Sequence, residues 1–141
     1  MRVLIDTNLI LDYLMGRDGH FDDALNLLIA VVNEEIEGYV TANTIADLYY
    51  IVNKDLHNRK KTRAVIDRLL RLVRIIDCTG TDCVLALASP VKDFEDAVLV
   101  ECGLRAGVDY LVTNNLKDFK GSRLPALRPG EFLTRFDANA L

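Results

Sequence analysis

No stretch of this chain approaches the roughly 18 to 20 continuous apolar residues that a membrane span requires. The opening residues Met1-Arg2-Val3-Leu4-Ile5 read as a strand rather than a secretory signal. Cysteine is scarce. Cys78, Cys83 and Cys102 are an odd number, with no Cys-x-x-Cys and no paired histidines. That argues against a disulfide framework or a zinc site and points to a reducing cytoplasm. Cys102 lies in an apolar stretch and reads as core packing. Positive charge is also short: 17 Lys and Arg against 21 Asp and Glu leave a net charge of −4. Alone, this balance argues against a protein that coats nucleic acid, because phosphate binding draws on Lys and Arg. Yet seven of the 17 basic residues fall between Arg59 and Arg74, and metal bound to the acids would remove much of the deficit. The charge distribution leaves room for a polyanion. Repeats, low-complexity tracts and linkers are absent, so the 141 residues are expected to form one domain, 1–141, long enough for a full core.

What is present is an alternation of short apolar strands and longer helices. Val3 to Ile5 reads as a buried parallel strand, apolar without alternation. Leu9 to Leu14 follow, then a break around Gly16 to His20. A helix is expected from Asp22 or Asp23 to about Glu37, burying Leu25, Leu28, Ile29 and Val32, with Gly38 as its stop. Tyr39 to Thr41 is a second strand, and Asn43 or Thr44 caps a helix from about Ile45 to His57. An amphipathic basic helix spans about Lys60 to Val73, and Ile75-Ile76 suggest a third strand. Thr81 or Asp82 opens a small helix ending before Ser89-Pro90. Asp93 to Ala106 is a helix stopped at Gly107, Tyr110 to Val112 a fourth strand, and Leu124 to Leu127 a short edge strand ahead of Pro129 to Leu133. This order predicts an α/β three-layer sandwich: a central parallel sheet of about four to five strands flanked by helices.

Ligands of such sheets bind beyond the carboxyl ends of the strands, and acids collect there. Asp6 closes the first strand, beginning Asp6-Thr7-Asn8, which also suits a turn or helix cap. Asp47 lies one turn into the helix after the second strand. Asp93 and Asp96, three apart, share one helical face that continues through Ala97, Val100 and Leu104. Glu95 and Glu101 lie farther round and read as solvated. Thr113 ends the fourth strand, and Asn115 or Asp118 in the following loop supplies a fourth polar position. Gathered carboxylates without a base are costly as structure, and all-oxygen sets suit Mg²⁺ or Mn²⁺. Candidate catalytic acids are Asp6, Asp47, Asp96 and Asp118. Candidate metal ligands are Asp6, Asp96, Asp93 and Asn115, with Thr7, Asn8 and Thr113 hydrogen-bonding behind them.

With these motifs in order (Ile5-Asp6-Thr7-Asn8, Asp47, Lys92 to Ala97, Val112 to Asn115 and Lys117-Asp118-Phe119) the chain resembles a PIN-domain ribonuclease. The likeness runs to about Phe132. It implies a metal-dependent phosphodiesterase that cuts RNA and leaves 5′-phosphate and 3′-hydroxyl ends. It further implies a VapC-type toxin silenced by an antitoxin and a homodimer. His20 and His57 fall in loop or helix-end positions, so metal-free cleavage is not expected. Arg59, Lys60, Lys61 and Arg63 are candidate RNA contacts; the bland alternative is a solvated face with internal pairs such as Arg63 with Asp67. Tyr49 and Tyr50 are candidates to stack on bases. Two departures from the family pattern, Asp47 where Glu is usual and Asn115 where Asp is frequent, define the rival reading: a degenerate PIN domain that binds RNA or protein without cutting.

Overall fold

The computed structural model describes residues 1–140. Strands β1 (Arg2–Ile5), β2 (Glu37–Thr41), β3 (Arg74–Ile76), β4 (Tyr110–Val112) and β5 (Ala126–Leu127) form one sheet in the order β3-β2-β1-β4-β5. Every pairing is parallel. The helices are α1 (Thr7–Leu14), α2 (Phe21–Val32), α3 (Ala42–Leu56), α4 (Arg59–Leu72), α5 (Gly80–Ala86), α6 (Phe94–Ala106) and α7 (Pro129–Ala140), with a 3₁₀ turn at Leu116–Phe119. The expected parallel α/β sandwich is the observed fold. Among the described residues no helix is long and apolar enough to cross a membrane.

Alternation along the strands divides the core into two layers. Val3, Ile5, Val40 and Val112 face a cluster that includes Leu9, Leu27, Leu48 and Phe132 from α1, α2, α3 and α7. Leu4, Ile76 and Leu111 face Ala97, Val100 and Cys102 of α6. Strands covered on both sides read as unbroken apolar runs, which is why β1 carries no polar residue after Arg2.

The structure corrects several sequence boundaries. Helix α2 stops at Val32 instead of about Glu37, and Gly38 lies inside β2, opposite Val3, instead of ending the helix. A Cβ at Gly38 would meet Val31 Cγ2 at 2.9 Å and Ile5 Cδ1 at 3.3 Å, so glycine lets α2 pack closely on the sheet. The buried face of α2 is Ala24, Leu27, Leu28 and Val31, while Ile29 and Val32 are 45% and 56% exposed. Helix α3 begins directly after β2, capped by Thr41, whose hydroxyl accepts from the Thr44 amide at 3.2 Å, and not by Asn43 or Thr44. Thr79, not Thr81 or Asp82, caps α5 in a reciprocal box with Asp82. Glu101 is buried and takes two hydrogen bonds from Arg123, because α6 is enclosed on nearly every face from Ala97 to Gly103. Residues after Leu127 form α7, with Pro129 at its first position, where proline is tolerated; Phe132 is fully buried against Tyr110 with ring centroids 6.0 Å apart.

Gly38→Ala should lower stability by about 1–3 kcal/mol, since β-branched Val31 has little room to turn away. Urea unfolding midpoints check this; an unchanged or raised midpoint would mean the helix–sheet gap is looser than described.

Candidate functional site

Strand β1 pairs with β2 on one side and β4 on the other. Chain connections therefore diverge beyond the carboxyl ends of β1 and β4, which leaves a crevice there. Asp6 and Thr113, the residues that follow these strands, stand side by side in it. The Asp6 amide donates to Val112 O at 3.1 Å, and Thr113 Oγ1 donates to the Asp6 carboxylate at 2.8 Å. Asp6 occupies the N-cap position of α1, yet its side chain makes no capping bond. The residue is 4% exposed, and its carboxylate accepts from the Thr113 hydroxyl, with the Thr7 and Asn8 amides nearby. Capping thus does not explain it.

Asp96 approaches from the other side, in the first turn of α6. Asp93 is the cap of that helix and accepts from the Asp96 amide at 3.0 Å. Burial, then the charges of Asp6, Asp93, Asp118 and Glu95, push the Asp96 carboxyl up to about 7. Burial likewise raises Asp6, against the lowering effect of Thr113 and the Thr7 and Asn8 amides, and Asp118 adds to the rise. Among the described residues, none of Asp6, Asp47, Asp93, Glu95, Asp96 and Asp118 forms an ion pair. These are accumulated negative charges with no basic side chain at ion-pair distance, which is the electrostatic condition a hard divalent ion relieves. The acids do not form a trio of ligand atoms within 4.8 Å. Mg²⁺ commonly binds through one or two carboxylates and keeps several waters, so a closer trio is not required for it.

Two cavities open on this cluster. One of about 490 Å³ is lined by Asp6, Thr7, Asn8, Asp47, Glu95 and Asp96 among others. The second, about 760 Å³, is lined by Asn8, Asp93, Glu95, Asp96 and Asp118 among others. Asp47 is thereby brought to the same crevice as Asp6 and Asp96 from an exposed position on α3. Asn115 lines neither; its amide donates to Thr113 Oγ1 at 2.9 Å, so it tightens the loop behind Asp6. Of the two candidates for the fourth position, Asp118 is the one whose charge reaches Asp6 and Asp96. Arg59, Lys60, Lys61 and Arg63 are exposed on the first turns of α4 and line neither cavity. Asp67 pairs with Arg71 at 3.1 Å and not with Arg63.

Sequence reasoning missed the supports. Thr7 Oγ1 lies 2.8 Å from Thr44 Oγ1, which accepts from Thr41 Oγ1 at 3.2 Å, so hydroxyls join α1 to the start of α3. Buried Asp12 accepts from Asn114 Nδ2 at 2.8 Å and from Arg17 at 3.4 Å, fixing the loop that carries Thr113. The signal was a lone acid inside the apolar run Leu9 to Leu14. A separate group, Cys78, Asp82 and Cys102, has ligand atoms within 4.8 Å of one another. There Arg105 holds Asp82 through Nε at 3.0 Å and Nη2 at 3.0 Å, so the carboxylate already has its cation.

The raised Asp96 carboxyl sets a pH dependence. Its folded value of about 7 exceeds the unfolded 3.8, so the native state binds the extra proton between them and stability falls as pH rises through that window. Chemical unfolding in EDTA should therefore lose on the order of 2 kcal/mol from pH 4 to 7. Asp96→Asn should flatten that slope; an equally steep slope in the variant would place the proton elsewhere.

A family model described as PIN domain matches residues 2–117. Among solved structures, VapBC2 from Rickettsia felis, bound to a promoter DNA fragment, has a TM-score of 0.68 at 20% identity, covering 91% of this chain and 98% of that one. A toxin–antitoxin complex from Klebsiella pneumoniae gives 0.66 at 22% identity, covering 90% and 97%. VapC20 from Mycobacterium tuberculosis, a sarcin-ricin loop cleaving toxin, gives 0.60 at 16%, covering 77% and 86%. No curated protein matches the sequence. The likeness in structure is one of fold, and the family match spans most of the sequence, including Asp6, Asp47, Asp93, Asp96 and Asn115: the chain belongs to the PIN domain family.

Proposed function

We propose that this chain acts as a single-domain, metal-dependent endoribonuclease and as the toxin of a toxin–antitoxin pair. The observation that carries the reading is the cluster of acids lining the β1–β4 crevice without an ion pair among the described residues, where burial and neighbouring carboxylates push Asp96 to about 7. Such a cluster is poorly suited to a merely structural role and well suited to a phosphoryl-transfer site. The solved relatives that are toxins or toxin–antitoxin complexes, one of them cleaving the sarcin-ricin loop, support the choice of RNA and of an antitoxin partner.

In this reading Asp6 and Asp96 hold Mg²⁺ or Mn²⁺, with Asp93, Asp47 and Asp118 beside them and Asn115 supporting the loop. The bound ion supplies acidification of a water and neutralisation of charge on the phosphoryl oxygens. Thr113 orients the Asp6 carboxylate at the crevice by donating to one of its oxygens, Oδ2. Thr7 is held by Thr44, and Asn8 is exposed at the junction of the two cavities, placed to meet substrate. Asp118, on the 3₁₀ turn, takes the place of the charge that Asn115 lacks. A homodimer and a cytoplasmic location complete the proposal; exposed Leu56, Leu70, Leu72, Val84, Leu85 and Leu87 support protein partners.

End-labelled RNA incubated with purified protein should be cut in Mg²⁺ or Mn²⁺ and left intact in EDTA, with 5′-phosphate and 3′-hydroxyl products. Asp6→Asn should reduce the rate by more than about a hundredfold, and Thr113→Val by about tenfold, the effect expected of a group that orients a ligand. Folded, antitoxin-free protein that binds several RNAs without metal and cuts none would favour the degenerate binding domain instead.

A further inference from the structure

The cavities that meet at Asn8, Glu95 and Asp96 differ in the chemistry of their other walls. The larger, about 760 Å³, carries Lys92, Lys117 and Lys120. The smaller, about 490 Å³, has no Lys or Arg in its lining and presents Thr7, Asn43, Tyr50 and Ile51. Lys92 precedes the cap of α6, whereas Lys117 and Lys120 belong to the 3₁₀ turn and its exit, so separate elements bring the ammonium groups to one wall. All are exposed, and among the described residues none forms an ion pair. Lysines that served only to neutralise Asp93 or Asp118 would approach within ion-pair distance; these stand off, with donors free for another oxygen ligand. Across the acids, Tyr50 is 73% exposed although large and aromatic. Tyr49 meets it edge-on at 5.8 Å and 89°, which restricts the ring without covering it.

We infer that single-stranded RNA crosses the acids in one orientation, with its sugar-phosphate backbone on the Lys92, Lys117 and Lys120 wall and a nucleobase stacked on Tyr50. The inference rests on the ribonuclease reading and adds the path of the substrate. Lysine ammonium groups are point charges suited to phosphate oxygens, and an exposed ring offers stacking that every base can use. The smaller cavity has no Lys or Arg in its lining to hold the flanking phosphates of the strand. The basic turns of α4, which reach neither cavity, take no part in the path.

The test uses fluorescence anisotropy of a short labelled single-stranded RNA on the Asp96→Asn protein, which retains bound strand uncut, across a salt series in Mg²⁺. Adding Lys92→Gln, Lys117→Gln and Lys120→Gln should weaken binding at least about tenfold at 0.1 M salt. The same change should make the slope of log affinity against log salt shallower by about 2, from roughly 0.7 per phosphate contact on a single strand. Tyr50→Ala should weaken binding about tenfold and leave the slope unchanged. Affinity and slope untouched by the lysine changes would overturn the path, as would losses confined to Arg59→Gln, Lys60→Gln and Lys61→Gln. All side chains substituted on the Asp96→Asn background are exposed, so misfolding is not expected to mimic either result. Wild-type cleavage of the same RNA, run alongside, reads the ribonuclease reading separately: absent cutting with intact lysine dependence would discard the chemistry and keep the surface.

Discussion

Repulsion among carboxylates at the β1–β4 crevice is the constraint around which the rest of the molecule is arranged. Asp6 is nearly inaccessible to water, and Asp96 faces it with Asp93, Glu95 and Asp118 close enough to raise its proton affinity. Like charges in a partly desolvated site do not stay together unaided; the usual responses are protonation, a counter-cation or separation of the elements that carry them. Protonation of Asp96 is the response available to the protein alone. A divalent ion is the stronger one, and in the proposed ribonuclease it would turn a liability of the free protein into a binding energy. Natural sites often carry such a local cost, offset by stability elsewhere.

Separation is blocked by how α6 is held. From Ala97 to Gly103 this helix is buried on all sides, with Val100 and Cys102 packed against Leu4 and Leu111 of the sheet. Its later turns are tied laterally by Arg105 to Asp82 of α5 and by Glu101 to Arg123 ahead of β5. These pairs join buried carboxylates to basic groups, so removing one partner would leave a charge stranded. On the opposite side, Asp6 is fixed by its own amide bond to β4 and by the Thr113 hydroxyl. Asp12 and Asn114 hold the loop that presents Thr113. The acids therefore face one another because both the sheet and α6 are over-determined by packing remote from them.

Much of this was legible in the sequence. Unbroken apolar runs alternating with longer amphipathic segments announced a parallel sheet, and the residues just past each strand named the crevice. Asp6, Asp47 and Asp96 line one cavity there, and Asp93, Asp96 and Asp118 the adjoining one. What escaped has physical reasons. Gly38 looked like a helix stop because glycine serves both there and at close packing, and only the β1–β2 register distinguishes the two. Thr41 ends a strand and caps a helix at once, which propensity cannot anticipate. Glu101 looked solvated because helical periodicity assumes one wet face, and α6 has almost none. Asp12, the lysine wall and the partnership of Thr7 with Thr44 depend on contacts between distant segments, to which local pattern is blind.

The most direct measurement is anomalous scattering from crystals of the protein grown with Mn²⁺. A peak between the Asp6 and Asp96 carboxylates, lost in Asp96→Asn crystals under the same conditions, is the predicted result. A map with no ion at the crevice, or with manganese only at the Cys78, Asp82 and Cys102 group, would contradict the claim that the crowded acids exist to bind a cation.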